Sequence, residues 1–480
     1  MAPRRDKVSS STPLLDDLGP VKVKPYCLVT VEPILLFVGI GIIMANPLQQ
    51  QYIYYSLGNG TASAHNTSGG ACGGDYNSSD SGGQAIQAEA SHWLTYISLC
   101  SSLPSLLIAA ILGPLSDKVG RKVAIVTPVI GALATSVCSA LVVYLNLPLQ
   151  VLLPGALLYG MLGSSTTLYG GCFAYLTDVT EPGNPRAFRM AILESFVGIA
   201  AVVGVLSGNL WLSILGAPLG FQEPFWFAAG LVAFSLLYAV FGIKETRPRR
   251  QGQKVAFSLA SVSGMVHLVK HSYKTGQWKL GVILFVFFLN SGIYITSSGI
   301  ITLTVIAPPY CWSSDLLGYF YTAACAGFVV GVVGIKLLGK CLSSYGMMHV
   351  GFLSGAAGMV IEALAVYTPN RDVSFYLATA AACLQTIPAP LMKATMSKMV
   401  PQSQQGSLFA LIACVESLAG VIFVPVWNTV FGATLFILPG LVFLCYAGTL
   451  LLQSALIGVV QCHQRPTTYD VLEDENDHIN

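Results

Sequence analysis

Eight ionisable side chains fall inside or at the ends of long apolar runs: Glu32, Asp178, Arg189, Glu194, Lys336, Glu362, Lys393 and Glu416. The chain has 480 residues, of which 54% are hydrophobic and 10% charged, against about 25% charged in an ordinary soluble domain. In such a setting an ionisable group is costly unless it lines a cavity or finds a partner. A carboxyl group placed there can take a proton from one side of a membrane and lose it to the other, because burial disfavours its charged form. Glu194, a turn and a half into the fifth run, and Glu416, near the middle of the eleventh, are the candidate proton-coupling residues. For each the alternative is a structural hydrogen-bond acceptor. Lys393 follows two prolines in Pro388-Ala-Pro390-Leu-Met-Lys393, where a broken helix frees backbone carbonyls toward a cavity. It could pair with a substrate carboxylate, neutralise Glu416 or snorkel to the interface. Glu32 and Lys336 lie close to run ends, where a solvated or snorkelling role is expected.

A second constellation is short and charged: Gly113-Pro-Leu-Ser-Asp117-Lys-Val-Gly120-Arg121-Lys122. It reads as a loop in which Gly120 permits a tight or left-handed turn, Asp117 caps a helix start and Arg121 offers a bidentate donor to a carboxylate. Asp178 ends the fourth run on the same side of the membrane, and in the fold that the resemblance given below implies it is within reach of Arg121, so Asp117, Gly120, Arg121 and Asp178 form a candidate gate. The alternative is a basic loop that only sets topology. Ser164, Ser165, Thr166 and Thr167 with Tyr169 add a neutral, hydroxyl-lined stretch. The seven histidines are scattered. No metal set, nucleophile constellation, channel filter or nucleic-acid surface emerges, so neither an enzyme nor a cofactor is expected.

The apolar runs that must position these groups number twelve, at about 31–54, 92–112, 123–144, 149–177, 189–213 and 225–243, then 280–306, 315–338, 347–367, 374–397, 406–427 and 432–459. Each is long enough to cross a bilayer. The implied organisation is an amino-terminal tail (1–26), a six-helix bundle (27–243) with an external loop at 56–91, a basic linker (244–278), a second bundle (279–459) and a carboxy-terminal tail (460–480). Of the 24 Lys and Arg residues, 23 fall on or near the side of the tails and only Arg371 on the other. Both termini are therefore expected to be cytoplasmic, with the first span acting as its own signal anchor. The 56–91 segment holds no Lys or Arg but three N-glycan acceptors, Asn59, Asn66 and Asn77, which must face the exterior or a lumen. Gly339 and Gly346 repeat the seven-residue spacing of Gly113 and Gly120, where a two-fold internal repeat would place them.

Twelve cysteines are present, yet this topology puts only Cys72 and Cys311 in external loops. If a disulfide forms, it joins those two. In the short carboxy-terminal tail, Tyr469-Asp-Val-Leu472 fits a tyrosine-based sorting signal read by adaptors, and Cys462 is a candidate acylation site. Plasma membrane and endolysosomal membrane are balanced as destinations.

The pattern G-x-L-S-D-x-x-G-R-K resembles the loop between the second and third spans of major facilitator superfamily transporters. A closer resemblance, to solute carrier family 46, rests on Val31-Glu32-Pro33, Pro47-Leu48, Gln51-Tyr52, Ser91-His92-Trp93, Ser116-Asp117, Cys172-Phe-Ala-Tyr175, Phe188-Arg-Met-Ala191, Cys311-Trp312, Gly318-Tyr319 and Gln405-Gly-Ser-Leu-Phe409. It covers all twelve spans and leaves out the tails and most of the glycan loop. It implies the same pairing of first and fourth external loops by a disulfide. It also implies that Glu194 carries the coupled proton, and that Lys393 occupies the place of a functional arginine of the family's folate carrier. Three positions depart from that carrier: Tyr294 stands for a histidine, Ser164 for an aspartate and Ala156 for an arginine. A substrate site of Lys393, Tyr294, Ser164 and Thr167 then suits an amphipathic, weakly anionic organic solute better than folate itself.

The expectation is an all-α polytopic membrane protein with the major facilitator fold. It would be a secondary active symporter driven by a proton gradient, whose partners are a small-molecule substrate, protons, the lipid bilayer and a sorting adaptor. The alternatives are a proton-driven antiporter, made less apt by the missing G-x-x-x-G-P-x-x-G-G run in the fifth span, and a non-transporting receptor or scaffold on the same fold.

Overall fold

The computed structural model describes residues 30–58, 81–180, 184–246, 278–307, 310–368, 370–400, 405–435, 438 and 440–463. The three glycan acceptors, Cys72, Tyr469 and Leu472 lie outside them, as does most of the linker. The described regular structure is helical: α1 (Glu32–Leu57), α2 (Ser81–Val119), α3 (Arg121–Tyr144), α4 (Leu152–Met161), α5 (Ser164–Val179), α6 (Asn184–Leu215), α7 (Leu219–Phe241), α8 (Trp278–Ile306), α9 (Ser314–Leu338), α10 (Ser344–Leu364), α11 (Arg371–Ala381), α12 (Pro388–Met399), α13 (Gln405–Thr434) and α14 (Leu441–Cys462), with single 3₁₀ turns before α4 and after α10. Eleven stretches are long and apolar enough to cross a membrane, counting α4 and α5 as one. The remaining span is made by α11 and α12 end to end. The molecule is a multi-pass membrane protein.

Several boundaries differ from the sequence reading, each for a physical reason. The second span begins at Ser81 and continues to Val119, so residues 81–91 are helix rather than external loop, and most of the charged ten-residue segment is helix too. Asp117 accordingly sits inside α2, near its C-terminal end, rather than at a helix start. The whole turn is Gly120, with φ 131° and ψ 147°, a conformation that a side chain would strain. The eleventh span runs on to Thr434 and the twelfth starts at Leu441, nine residues later than expected, because an apolar sequence gives no sign of where one helix stops and the next starts. In the fourth span, Gly163 (φ 106°) and Ser164 (φ 54°) break the helix between α4 and α5, and the tenth is broken ahead of Pro388. The second bundle's echo of the Gly120 turn is capped in the ordinary way: Ser343 Oγ accepts from the Gly346 N–H at 3.3 Å.

Small residues set the helix spacing. A Cβ on Gly204 would meet the Ile40 carbonyl at 2.8 Å, and Gly39 faces Ala200 as closely, so α1 and α6 are in backbone contact, as small-residue seams in membranes allow. The two halves meet along two antiparallel helix pairs, α2 with α13 and α6 with α9. The helix of Glu416, α13, lies in the first of these pairs.

Candidate functional site

Lys393 Nζ lies 3.2 Å from Glu416 Oε1, and the two side chains retain 36% and 25% of their exposure. Of the roles open to Lys393 in the sequence, neutralising Glu416 is the one formed here. The break before α12 lets Lys393 turn toward α13, and its ammonium also sits 5.4 Å from the centre of the Phe287 ring on α8, close enough for a cation–π contribution. The next residue, Ser417, reaches the other half: its Oγ is 3.3 Å from Thr166 Oγ1 on α5 and accepts from Ser105 Oγ on α2 at 3.4 Å. Tyr294 on α8 is 66% exposed, yet it and Tyr169 on α5 are both within electrostatic reach of Glu416.

The hydroxyl stretch divides. Ser164 is buried, with its Oγ 3.1 Å from Thr166 Oγ1, so it backs the residue that crosses to the other half. Thr167 is buried and its Oγ1 has no partner among the described residues. Thr166, undistinguished from its neighbours by sequence, is the member in contact with α13; only the register imposed by the Gly163 break shows this. Glu194 lies in α6, with its side chain outside the description. Lys336 is exposed, as a snorkelling residue should be. Glu32, expected to be solvated, is instead 4% exposed and ion-paired to Arg189 at 2.9 Å. It accepts further bonds from the Thr30 N–H at 2.5 Å and from Thr30 Oγ1 at 3.1 Å. Nothing in the sequence pairs Glu32 with a residue 157 positions away.

A second polar cluster gathers where α2 meets α3. Arg121 is buried and donates through Nε to Asp178 Oδ2 and through Nη1 to Ser116 Oγ, each at 2.9 Å. Sequence reasoning missed Glu245, just past α7. It accepts from the backbone N–H of Arg121 at 2.7 Å and of Lys122 at 3.1 Å, putting a carboxylate at the positive end of α3. A Cβ on Gly120 would come within 2.6 Å of the Glu245 carboxyl carbon, so glycine is required for space as well as for φ. The only available signal was an acid one turn beyond an apolar run. Of the partners seen here, Ser116 and Asp178 belong to the first half, and Glu245 and Thr246 to the first residues of the linker.

At the opposite ends of the helices the halves are joined by neutral hydrogen bonds. Gln51 on α1 donates to Asn209 Oδ1 at 2.8 Å and accepts from Ser314 Oγ at 2.8 Å. Gln87 donates to the Leu303 carbonyl at 2.6 Å, and Asn428 donates to Thr95 Oγ1 at 3.0 Å. Beside them Trp312 is 1% exposed, donates to Asp372 at 2.6 Å and packs on Phe320 and Phe375. Cys311 is disulfide-bonded.

Twelve spans in two halves, with polar groups facing one another across the interface, define a class that comparison with known proteins makes explicit. A model of the Major Facilitator Superfamily matches residues 33–424, and a proton-coupled folate transporter of Rattus norvegicus is 31% identical over 437 residues, covering 90% of this chain and 92% of that protein. The chain belongs to the major facilitator superfamily, within solute carrier family 46. This family 46 member is also 28% identical over 446 residues to the human lysosomal proton-coupled steroid conjugate and bile acid symporter SLC46A3, covering 90% of this chain and 94% of that protein. Among solved structures, its fold matches a D-xylose-proton symporter with TM-score 0.60 at 14% identity, covering 88% and 96% of the two chains. The human organic anion transporter MFSD10 gives TM-score 0.61 at 14% identity, covering 89% and 98%.

Proposed function

We propose that this family 46 protein carries an organic anion across a membrane together with a proton, by alternating access. The observation that carries the reading is the Lys393–Glu416 pair on the cavity wall. While Glu416 is ionised, the ammonium of Lys393 is already neutralised. A proton on Glu416 releases that ammonium for the carboxylate or sulfate of a substrate, so that anion and proton load together. Tyr294, Tyr169 and the Thr166 hydroxyl supply an amphipathic surround, which favours a solute with one anionic group on an apolar body. Such a solute is closer in kind to a steroid conjugate than to a dianionic folate. Glu194 is read as the coupling carboxyl and Thr167 as a reserve hydroxyl behind the wall.

In this reading the hydrogen-bonded end at Gln51, Asn209 and Ser314 is the external or luminal face, sealed here, and the Asp117, Gly120, Arg121 and Asp178 segment works at the cytoplasmic face with Glu245 as an added member. Both tails are cytoplasmic. The glycans at Asn59, Asn66 and Asn77 face outward, and Tyr469 with Leu472 directs the protein to endolysosomes through an adaptor. The acidic lumen there is topologically equivalent to the cell exterior, so export from a lysosome and acid-driven uptake at the surface are the same step.

The test is uptake of labelled folate and of a labelled steroid sulfate into cells whose Tyr469 signal is disabled, at acidic and at neutral external pH. Uptake of the sulfate should rise on acidification. Glu194→Gln should abolish this accumulation while leaving solute exchange intact; a variant that still concentrates solute in response to pH removes Glu194 from the mechanism. Acid-driven efflux in place of uptake would establish the antiporter.

We also infer that the partner of Cys311 is Cys72. Replacing either cysteine by serine should then lower surface abundance equally, and the double variant should be no worse than the singles, because all three lose one bond. Unequal losses, read by surface labelling, would break the pairing.

A further inference from the structure

Glu362, on α10, is left outside the transport site described above. Its residue is 6% exposed, and its Oε2 has no hydrogen-bond partner among the described residues. No described lysine, arginine or histidine pairs with it. Two phenols interact with it electrostatically: Tyr446 on α14, which packs along α10, and Tyr321 on α9. The other titratable groups on the elements packed against α10 are Cys445 and Cys462 on α14, Arg371, Asp372 and Tyr376 on α11, Lys393 and Lys398 on α12 and Tyr367 in the 3₁₀ turn; Asp372 is bonded to Trp312 and Lys393 is paired with Glu416. His349 shares α10 but sits 13 residues away, about 20 Å along the axis, and is bonded to Ser454 and Gln461. A carboxylate buried without a counter-charge is so costly that the group gives up its charge instead.

The two tyrosines are already engaged, and both lead to α8. Tyr446 Oη is 2.7 Å from Thr296 Oγ1. Tyr321 Oη is 2.7 Å from Thr302 Oγ1 and donates to the Ser298 carbonyl at 2.5 Å. Thr296 is two residues from Tyr294, so the helix that carries Tyr294 is tied on its other side to a tyrosine that interacts electrostatically with Glu362. An ionised Glu362 would draw donors toward itself, and the phenols it interacts with electrostatically are the ones whose hydroxyls now secure α8.

We propose that Glu362 is a proton-binding site of the second bundle, separate from Lys393 and Glu416, occupied in the conformation seen here and linked to the posture of α8 through Tyr446 and Tyr321. It does not depend on the identity of the solute or on the Lys393–Glu416 reading, and its test needs no substrate.

The experiment is infrared spectroscopy of the purified, full-length protein in lipid at neutral pH, reading the carbonyl stretch of protonated carboxylic acids. Wild type should show a band that Glu362→Gln lacks and that disappears as pH is raised. Coincident spectra would mean that Glu362 is ionised, and the proposal would be wrong. Tyr446→Phe, which keeps the carboxyl and removes one neighbouring hydroxyl, should shift the same band. This variant also serves if Glu362→Gln cannot be purified, and an unmoved band there would sever the link to α8.

Discussion

Lys393→Gln and Glu416→Gln should fail in opposite ways. Without the ammonium, the anion loses its one charged partner on the cavity wall. A charge-assisted contact contributes about 1.5–3 kcal/mol, so the apparent affinity for a monoanionic solute should fall roughly ten- to hundredfold at acidic pH, where the ammonium is released to the solute, and much less at neutral pH, where Glu416 already occupies it. Without the carboxylate, Lys393 has no internal competitor. Affinity should then be high at neutral as well as acidic pH, and the acid stimulation of uptake should flatten. The double variant should resemble Lys393→Gln, since the role assigned to Glu416 is to occupy Lys393. Concentration-dependent uptake at two pH values distinguishes these outcomes. If both single variants keep the wild-type pH profile and differ only in amount, the pair is structural and the coupling lies elsewhere.

The contrast between the two neutralisations exists because residues 23 positions apart were brought within 3.2 Å by the broken tenth span. The sequence contained the parts of this: two prolines, a lysine five residues after the first of them, and a carboxyl group in the next apolar run. It left three roles open for the lysine, because apolar sequence fixes where a helix lies far better than which way it faces. The same ambiguity explains Thr166. Four consecutive hydroxyl residues are equivalent until Gly163 and Ser164 take positive φ and reset the register of α5, after which one of them faces Ser417. The span pattern itself was legible, since hydrophobic runs of membrane length have few alternatives, whereas helix ends in apolar sequence were not. Ion pairs within one half followed the same division. Arg121 with Asp178 could be anticipated, but Glu32 with Arg189 and Glu245 at the start of α3 depend on helix packing that no local pattern encodes.

Arg121→Ala should be the most damaging single change to the stability of the first half. The guanidinium is 9% exposed and its acceptor Asp178 12%, and it spans three helices by binding Asp178 and Ser116 together. Breaking a buried pair from one side costs about 3–5 kcal/mol, most of it from the charge left behind. Arg121→Lys keeps the charge but can reach only one acceptor at a time with a compact ammonium, so it should melt between wild type and the alanine variant. Arg121→Ala with Asp178→Asn removes both charges, and it should recover part of the loss. Thermal unfolding in detergent, followed by the tryptophan signal, gives the order directly. An alanine variant that melts with wild type would show that the cluster is solvated and contributes only to topology. A double variant no more stable than Arg121→Ala would instead locate the loss in the Ser116 bond and in the packing of the arginine stem. Because Glu245 caps α3 through backbone N–H groups that the substitutions leave in place, the helix start should persist in all of them, and any difference in melting reports on the side-chain pair.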